Sequence, residues 1–485
     1  MSIKDLEPKV VWNNFYALTR IPRPSKHEGK VIAYLYEWGK SHGFDTVRDE
    51  TGNIIIRVPA TPGMEDRRGI ILQGHMDMVP QKTSDSDHDF LKDPINAYID
   101  GDWVTADRTT LGADNGIGVA MGLAALEDPS VKHGPLEVLV TYDEETGMTG
   151  ANELRPGVLK GDILINLDSE DEGELCVGCA GGLDATAKFK YRKYNTPEGM
   201  RALRFTVSGL KGGHSGMDIS LYRANANKVV ARILLPLLQE EGVKVVFFRG
   251  GSLRNAIPFE ATSEILVPAD RLDAVKARIE AKFAEIRAEF IDSDPESALA
   301  IEEVAVMPKY IQGSAILKAV KAIIAAPSGV IRMSQAMPGL TETSINLAIV
   351  RTEKGYISIH SLMRSAVDSS KDYLALRVRC LYELAGADVI SFEGGYSGWA
   401  PKLDTPMNKV MMEQYEKLYG EKMMVRATHG GLECAIMGAK YPNWEMVSIG
   451  PTIRYPHSPD EKLEIASVAR TWEYLKAVLE NAPKR

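Results

Sequence analysis

Histidine and carboxylate side chains recur in five short segments of this chain: Gly74-His75-Met76-Asp77, Gly112-Ala113-Asp114-Asn115-Gly116, Asp143-Glu144-Glu145-Thr146-Gly147, Asn166-Leu167-Asp168-Ser169 and Pro456-His457-Ser458. Imidazole nitrogens with carboxylate oxygens make a reasonable zinc set, and such mixed donors also admit cobalt or manganese. Singly, each segment has an ordinary reading. A histidine after a strand is usually structural, an aspartate in a glycine-rich turn is usually a turn former, and Glu144-Glu145 can end a strand in solvent. Their joint occurrence carries the metal reading: the segments follow apolar runs, and flanking glycines let the backbone approach closely.

Those runs define the elements that must position the donors. Stretches 53–58, 70–73, 136–141 and 163–167 read as strands, with a helix over 116–126. Helices are also predicted over 8–20 and after Pro24, where Ser25 and Glu28 suggest a capping box. Apolar strands alternating with helices point to an α/β sheet, whose ligands belong beyond the carboxyl ends of the strands. After Gly181-Gly182 the pattern changes to strand 203–210, helix 224–239, strands 244–248 and 261–267, helix 271–290 and strand 298–306. That is the β-α-β-β-α-β order of a ferredoxin-like unit. A second copy follows by element order alone: helix 314–325, strands near 343–350 and 356–362, helix 371–384 and strand 388–392. Beyond Gly394-Gly395 the first pattern resumes, ending in a helix over 464–481. The expected architecture is an α/β catalytic domain of residues 1–182 and 394–485, its mixed sheet flanked by helices. An α+β lid of residues 183–393, made of two ferredoxin-like units, interrupts it, and the candidate donors fall on both sides of the interruption.

Six motifs, spread over the chain, give these residues a family likeness: 75–82 (HMDMVPQK), 109–118 (TTLGADNGIG), 209–216 (GLKGGHSG), 253–258 (LRNAIP), 431–434 (GLEC) and 457–461 (HSPDE). Together they resemble the co-catalytic zinc peptidases that include carboxypeptidase G, aminoacylase and the carnosine dipeptidases. The likeness is nearest to the branch that acts on aminoacyl-histidine dipeptides in the bacterial cytosol. The resemblance implies two divalent ions, bridged by Asp114, with His75 and Asp168 completing one site and Glu145 and His457 the other. It implies zinc, with cobalt or manganese as alternatives, and a cis Asp114-Asn115 peptide. Glu144 would be the general base, and Asp77 would orient His75. His214 would reach the scissile carbonyl, while Asn255, Arg364 and the Gly431 N–H would contact substrate. In relatives with a single-unit lid the corresponding histidine comes from the partner subunit; here a two-unit lid points to action within one chain, whether or not a homodimer forms.

The implied reaction is hydrolysis of dipeptides, preferentially Xaa-His and including β-alanyl-histidine. A tripeptide aminopeptidase, an N-acyl-amino-acid hydrolase and a catalytically silent metal- or peptide-binding protein are the alternatives; the intact Glu144 and full donor set oppose the last. With 57 Lys+Arg against 66 Asp+Glu, the net charge of -9 offers neither the basic footprint of a nucleic-acid binder nor an attraction to anionic membranes. No apolar run approaches the roughly 18 residues of a membrane span, and Lys4, Asp5, Glu7 and Lys9 interrupt any secretory leader. Four cysteines make no disulfide framework, and Cys176-x-x-Cys179 is only half of a four-cysteine zinc site. A cytoplasmic enzyme is expected.

Overall fold

Apolar-rich runs become the central strands of the first of two compact units. Strands Ile70–His75, Leu136–Thr141 and Ile163–Asn166 are buried at every position, as strands covered on both faces must be. They pair in parallel, Ile70 standing opposite Leu136 on one side and Ile163 on the other. The computed structural model describes residues 2–240 and 242–485. In it, the full sheet runs Asp45–Arg48, Ile54–Val58, Leu136–Thr141, Ile70–His75, Ile163–Asn166, Glu445–Ser448, Glu174–Cys179, Met424–Thr428. Ile54–Val58 joins antiparallel and Glu445–Ser448 parallel, so the sheet is mixed, as expected. Helix Lys9–Thr19 buries Val11, Trp12, Phe15 and Leu18, an apolar stripe at helical spacing. Helix Ala113–Glu127 is buried nearly all round, with Asp114 in its first turn.

Three details depart from the expectations. Helix Gly29–Ser41 has Glu28 itself at its N-cap and no side-chain cap bond. The Ser25–Glu28 capping box does not form because Pro24 and Ser25 are held against Met78. A four-stranded sheet of Ile453–Arg454, Lys462–Glu464, Trp103–Ala106 and Ala97–Asp100, not anticipated, frames the loop that carries His457. Strand Glu445–Ser448 was also not foreseen.

The second unit comprises Cys179–Ala400 and Thr428–Gly431; the first holds the rest. Near the two ends of this stretch, Cys179 and Trp399 pair backbone to backbone. The main sheet of this unit runs Ala298–Val304, Met200–Ser208, Ala261–Pro268, Lys244–Gly250, Thr341–Glu353, Tyr356–Ser365, Gly181–Lys190, Val389–Tyr396. The first four strands, with helices Ala226–Glu240 and Leu272–Arg287, form one β-α-β-β-α-β run. The last four, with Gly313–Ala325 and Asp368–Leu384, form another, whose opening strand Gly181–Lys190 precedes the whole first run in sequence. The two meet where Arg249 and Gly250 pair with Arg351 and Val350. Phe205, Leu234, Ile279, Ile316, Leu347 and Leu374 belong to one continuous core beneath this sheet. Among the described residues no helix is long and apolar enough to cross a membrane.

Candidate metal centre and the polar cluster of the second unit

Three adjacent parallel strands end at the candidate site. His75 closes Ile70–His75, Glu144 and Glu145 follow Leu136–Thr141, and Asp168 follows Ile163–Asn166. Asp114 comes from the start of helix Ala113–Glu127 and His457 from the loop between Ile453–Arg454 and Lys462–Glu464. The two oxygens of Asp114 face different partners: Oδ1 lies 3.1 Å from His75 Nε2, and Oδ2 lies 3.3 Å from His457 Nε2. Asp168 Oδ1 is 3.4 Å from the same His75 nitrogen, and Glu145 Oε1 is 3.0 Å from the same His457 nitrogen. Two donor triads therefore share Asp114. The Asp114-Asn115 peptide is cis.

This donor set fits metal ions. Ligands about 2.0–2.2 Å from a shared tetrahedral ion stand about 3.3–3.6 Å apart, and the separations of 3.0–3.4 Å here approach that spacing. Glu145 Oε1 and Asp168 Oδ1 are buried without a hydrogen-bond partner, which is costly unless a cation faces them. The charges agree. Burial pushes the Asp168 carboxyl well above the usual carboxylate range, with His75 opposing and Asp114 reinforcing the shift. Burial alone would lower His75, yet Asp168, Asp114 and Asp77 drive it well up. Asp114 and then Glu145, both beside its ring, push His457 up to about 11. A pocket that draws protons onto its imidazoles this strongly lacks positive charge.

Asp77 does more than face His75 Nδ1 at 3.4 Å. Its Oδ1 accepts the Glu144 N–H at 3.0 Å and its Oδ2 the Glu145 N–H at 3.2 Å, so one fully buried carboxylate orients a histidine and fixes the turn carrying both glutamates. Glu28, Asp77 and Asp143 form a second buried carboxylate group beside this turn. Asp143 accepts from the hydroxyls of Thr146 and Thr149, so this group builds the turn. Burial pushes the Glu144 carboxyl well up, opposed by His75 and reinforced by Glu433, Asp168 and Glu145. Glu433 was not singled out from the sequence. Its Oε2 accepts from Gln73 Nε2 and Thr141 Oγ1, both at 2.7 Å, and its position within the apolar stretch Leu432–Met437 was the available signal.

The second unit gathers a separate cluster. His214 Nδ1 accepts the N–H groups of Gly216 at 3.2 Å and Met217 at 3.1 Å. A nitrogen that accepts two backbone donors carries no proton, so the neutral ring keeps its proton on Nε2. Burial and Arg364 lower the His214 pKa, with Asp218 opposing. Arg364 is 5% exposed, with Ser215 Oγ and Tyr396 Oη each at 3.4 Å. Among the described residues no carboxylate lies within ion-pair distance of it, although Asp184 feels its charge. Across the strand pair, Ser344 stands opposite Arg364 and bonds His429 Nε2 at 2.7 Å. Burial and then Arg364 depress His429 to about 3. Asn255 is exposed, and its carbonyl accepts the Ser215 N–H at 2.7 Å. Gly431 closes the segment Thr428–Gly431 grouped with this unit. Cys176 and Cys179 are buried in strand Glu174–Cys179, away from any four-cysteine arrangement among the described residues.

The profile of peptidase family M20/M25/M40 matches residues 71–481. A cytosol non-specific dipeptidase of Escherichia coli (strain K12) is 43% identical over 483 residues, spanning 100% of this chain and 99% of the relative. The crystal structure of an aminoacylhistidine dipeptidase from Vibrio alginolyticus matches with a TM-score of 0.93 at 45% identity, covering 100% of this chain and 99% of that one. The aminopeptidase PepT of Bacillus cereus shares the fold, with a TM-score of 0.58 at 16% identity over 98% of each chain.

Proposed function

The chain belongs to peptidase family M20/M25/M40, and from that premise we propose that it hydrolyses dipeptides with two divalent ions shared through Asp114. It is a dipeptidase; Xaa-His substrates, β-alanyl-histidine among them, are the proposed preference. The observation that carries the reading is Asp114, with each carboxylate oxygen facing its own histidine–carboxylate pair. His75, Asp114 and Asp168 would hold one ion, and Glu145, Asp114 and His457 the other. Three protein donors per ion leave each site open, as catalytic sites are. Zinc suits the donors best, with cobalt or manganese as alternatives. Bound there, the ions would supply Lewis acidity toward a peptide carbonyl and an attacking water.

The remaining work falls to side chains. Glu144 takes the proton of the attacking water at its carboxylate and returns it to the leaving amine, work worth about 10²–10⁴ in rate. Asp77 keeps the His75 imidazole oriented. His214, neutral and protonated on Nε2, donates that proton's hydrogen bond to the carbonyl oxygen as negative charge develops. Arg364 pairs with the substrate's carboxylate in bidentate fashion, assisted by Asn255 and the Gly431 N–H. The name of the Escherichia coli relative supports a cytosolic setting for this chain as well.

The test is elemental analysis combined with a substrate panel of Xaa-His dipeptides, other dipeptides, tripeptides and acetyl-amino acids. Expected are about two ions per chain, loss of hydrolysis on chelation, recovery on adding zinc, cobalt or manganese, and fastest turnover on Xaa-His. Full activity of metal-free protein would sink the two-ion reading. Preference for tripeptides or acetyl-amino acids would move the substrate class.

A further inference from the structure

Two buried side chains, a guanidinium and a carboxyl, grip the peptide segment that leads into Asp114, and among the described residues neither hydrogen-bonds a candidate metal donor's side chain. Arg23 and Glu461 are each 2% exposed. Arg23 Nη1 donates to the carbonyls of Met76 at 3.0 Å and Asp77 at 2.9 Å, while Nη2 donates to the carbonyl of Gly112. Glu461 takes the other side of the same segment. Its Oε2 accepts the N–H groups of Leu111 at 2.9 Å and Gly112 at 3.2 Å, and its Oε1 accepts that of Ala113 at 2.7 Å. The glycines of the segment make room for this grip. A Cβ on Gly112 would meet Arg23 Nη2 at 2.6 Å, and one on Gly116 would meet it at 2.5 Å.

Each side chain also belongs to, or holds, a second donor segment. Arg23 binds the carbonyls of the two residues that follow His75. Glu461 lies four residues beyond His457, and its own N–H and carbonyl are tied down by Ser458 and Thr105. Arg23 thus couples the Asp114 segment to the His75 segment, and Glu461 couples it to the His457 segment. We propose that Arg23 and Glu461 are positioning residues for the metal centre: Arg23 sets Asp114 Oδ1 relative to His75, and Glu461 sets Asp114 Oδ2 relative to His457. The inference rests on the two-ion reading above. Shape suits the task, since a guanidinium with fixed forked donors spans three carbonyls, and a carboxylate has the lone pairs for three N–H groups.

Glu461→Gln keeps the shape but replaces an acceptor oxygen with a donor facing N–H groups. Arg23→Lys keeps the charge but cannot span three carbonyls. Ion retention is measured by elemental analysis and cobalt absorption during dialysis against graded chelator, with circular dichroism of the stripped chain to confirm folding. His75→Ala and His457→Ala chains, each retaining the other ion, assign the two sites. Glu461→Gln should weaken the His457-held ion by about 10–100-fold, as loss of partners outside the ligand shell does, and the His75-held ion by no more than about threefold. Arg23→Lys should show the reverse bias. If one variant does not fold, the other decides. Equal weakening at both sites, or wild-type retention, overturns the positioning roles. Absence of bound ions in the wild-type chain would instead overturn the metal reading itself.

Discussion

Glu144 and Glu145 are adjacent in sequence yet should fail in different ways. Glu145 Oε1 is buried without a hydrogen bond and 3.0 Å from His457 Nε2, so Glu145→Gln should lose metal. Glu144→Gln should keep metal near the wild-type level and lower kcat by at least about 10²-fold, the lower end of a general base's contribution. Metal content measured beside single-turnover rates separates the two; swapped phenotypes would reverse the assignment. His429 offers a stability test. Its folded-state pKa is depressed to about 3 by burial and by Arg364. Below an unfolded pKa of about 6.5 the unfolded chain therefore binds a proton the folded one refuses. Stability should be fully present above that pH and fall as pH drops toward 3. Between pH 6.5 and 5 the advantage of wild type over His429→Asn should shrink by as much as about 1.4 kcal/mol per pH unit, read from paired denaturation curves. A pH-independent difference would mean that His429 is not held neutral. The candidate donors were legible because histidines and carboxylates recur in glycine-rich turns after apolar runs. Glu433 and Glu461 fall within the motifs 431–434 and 457–461, but their partners were not legible, because Gln73 lies 360 residues from Glu433 and Leu111 lies 350 from Glu461. No local pattern marks such pairs.

At the scale of elements, what could be read from the chain was what is buried on both faces. Ile70–His75 and Leu136–Thr141 announce themselves by apolar clusters, Ile70-Ile71-Leu72 and Val138-Leu139-Val140, and are buried at every position. Ala97–Asp100 has no buried position and Trp103–Ala106 alternates, so their composition reads as loop, although they help frame the His457 segment. Strand Gly181–Lys190 escaped for another reason: its partner Tyr356–Ser365 is far off in sequence, and the strand precedes the run that separates them. Glycine positions translate more directly into prediction. Gly112 has φ +69, and an added Cβ would meet Arg23 Nη2 at 2.6 Å and Met78 Sδ at 2.8 Å. Gly101 has φ +57 with nothing within 4 Å. Gly101→Ala should therefore cost only the left-handed backbone term of about 1–2 kcal/mol. Gly112→Ala should cost at least about 3 kcal/mol and reduce metal retention, because the clash displaces Arg23 as well. Thermal unfolding of both variants, with and without chelator, checks this. Equal losses would show that the close approach at Gly112 relaxes freely.

For the whole molecule, the question is whether one chain suffices for catalysis. The inserted unit carries two β-α-β-β-α-β runs in a single sheet, the first run placed between the opening strand of the second and its remainder. That duplication lies within one chain, and His214 belongs to the first run's side of it, in the strand pair Gly213–His214 with Ala256–Ile257. Where the lid is a single unit, the family resemblance implies that a partner subunit supplies the corresponding histidine. A chain that already contains both units has no need of that loan, so His214 should act on substrate held by the metal centre of its own chain. His214→Ala should lower kcat by about 10²–10³, as loss of an oxyanion donor does, while leaving metal content unchanged. Mixing His214→Ala chains with Glu144→Gln chains, under conditions that exchange subunits, then distinguishes the two arrangements. Action within one chain leaves every site lacking either His214 or Glu144, and the mixture stays as slow as its components. Action across chains would create sites with both residues intact, and about a quarter of wild-type activity would return after random exchange of equal amounts, since half the dimers are then mixed and each mixed dimer has one intact site of its two. Recovery of that size, with exchange confirmed by mass labelling, would assign His214 to the partner and make dimerisation a condition of catalysis.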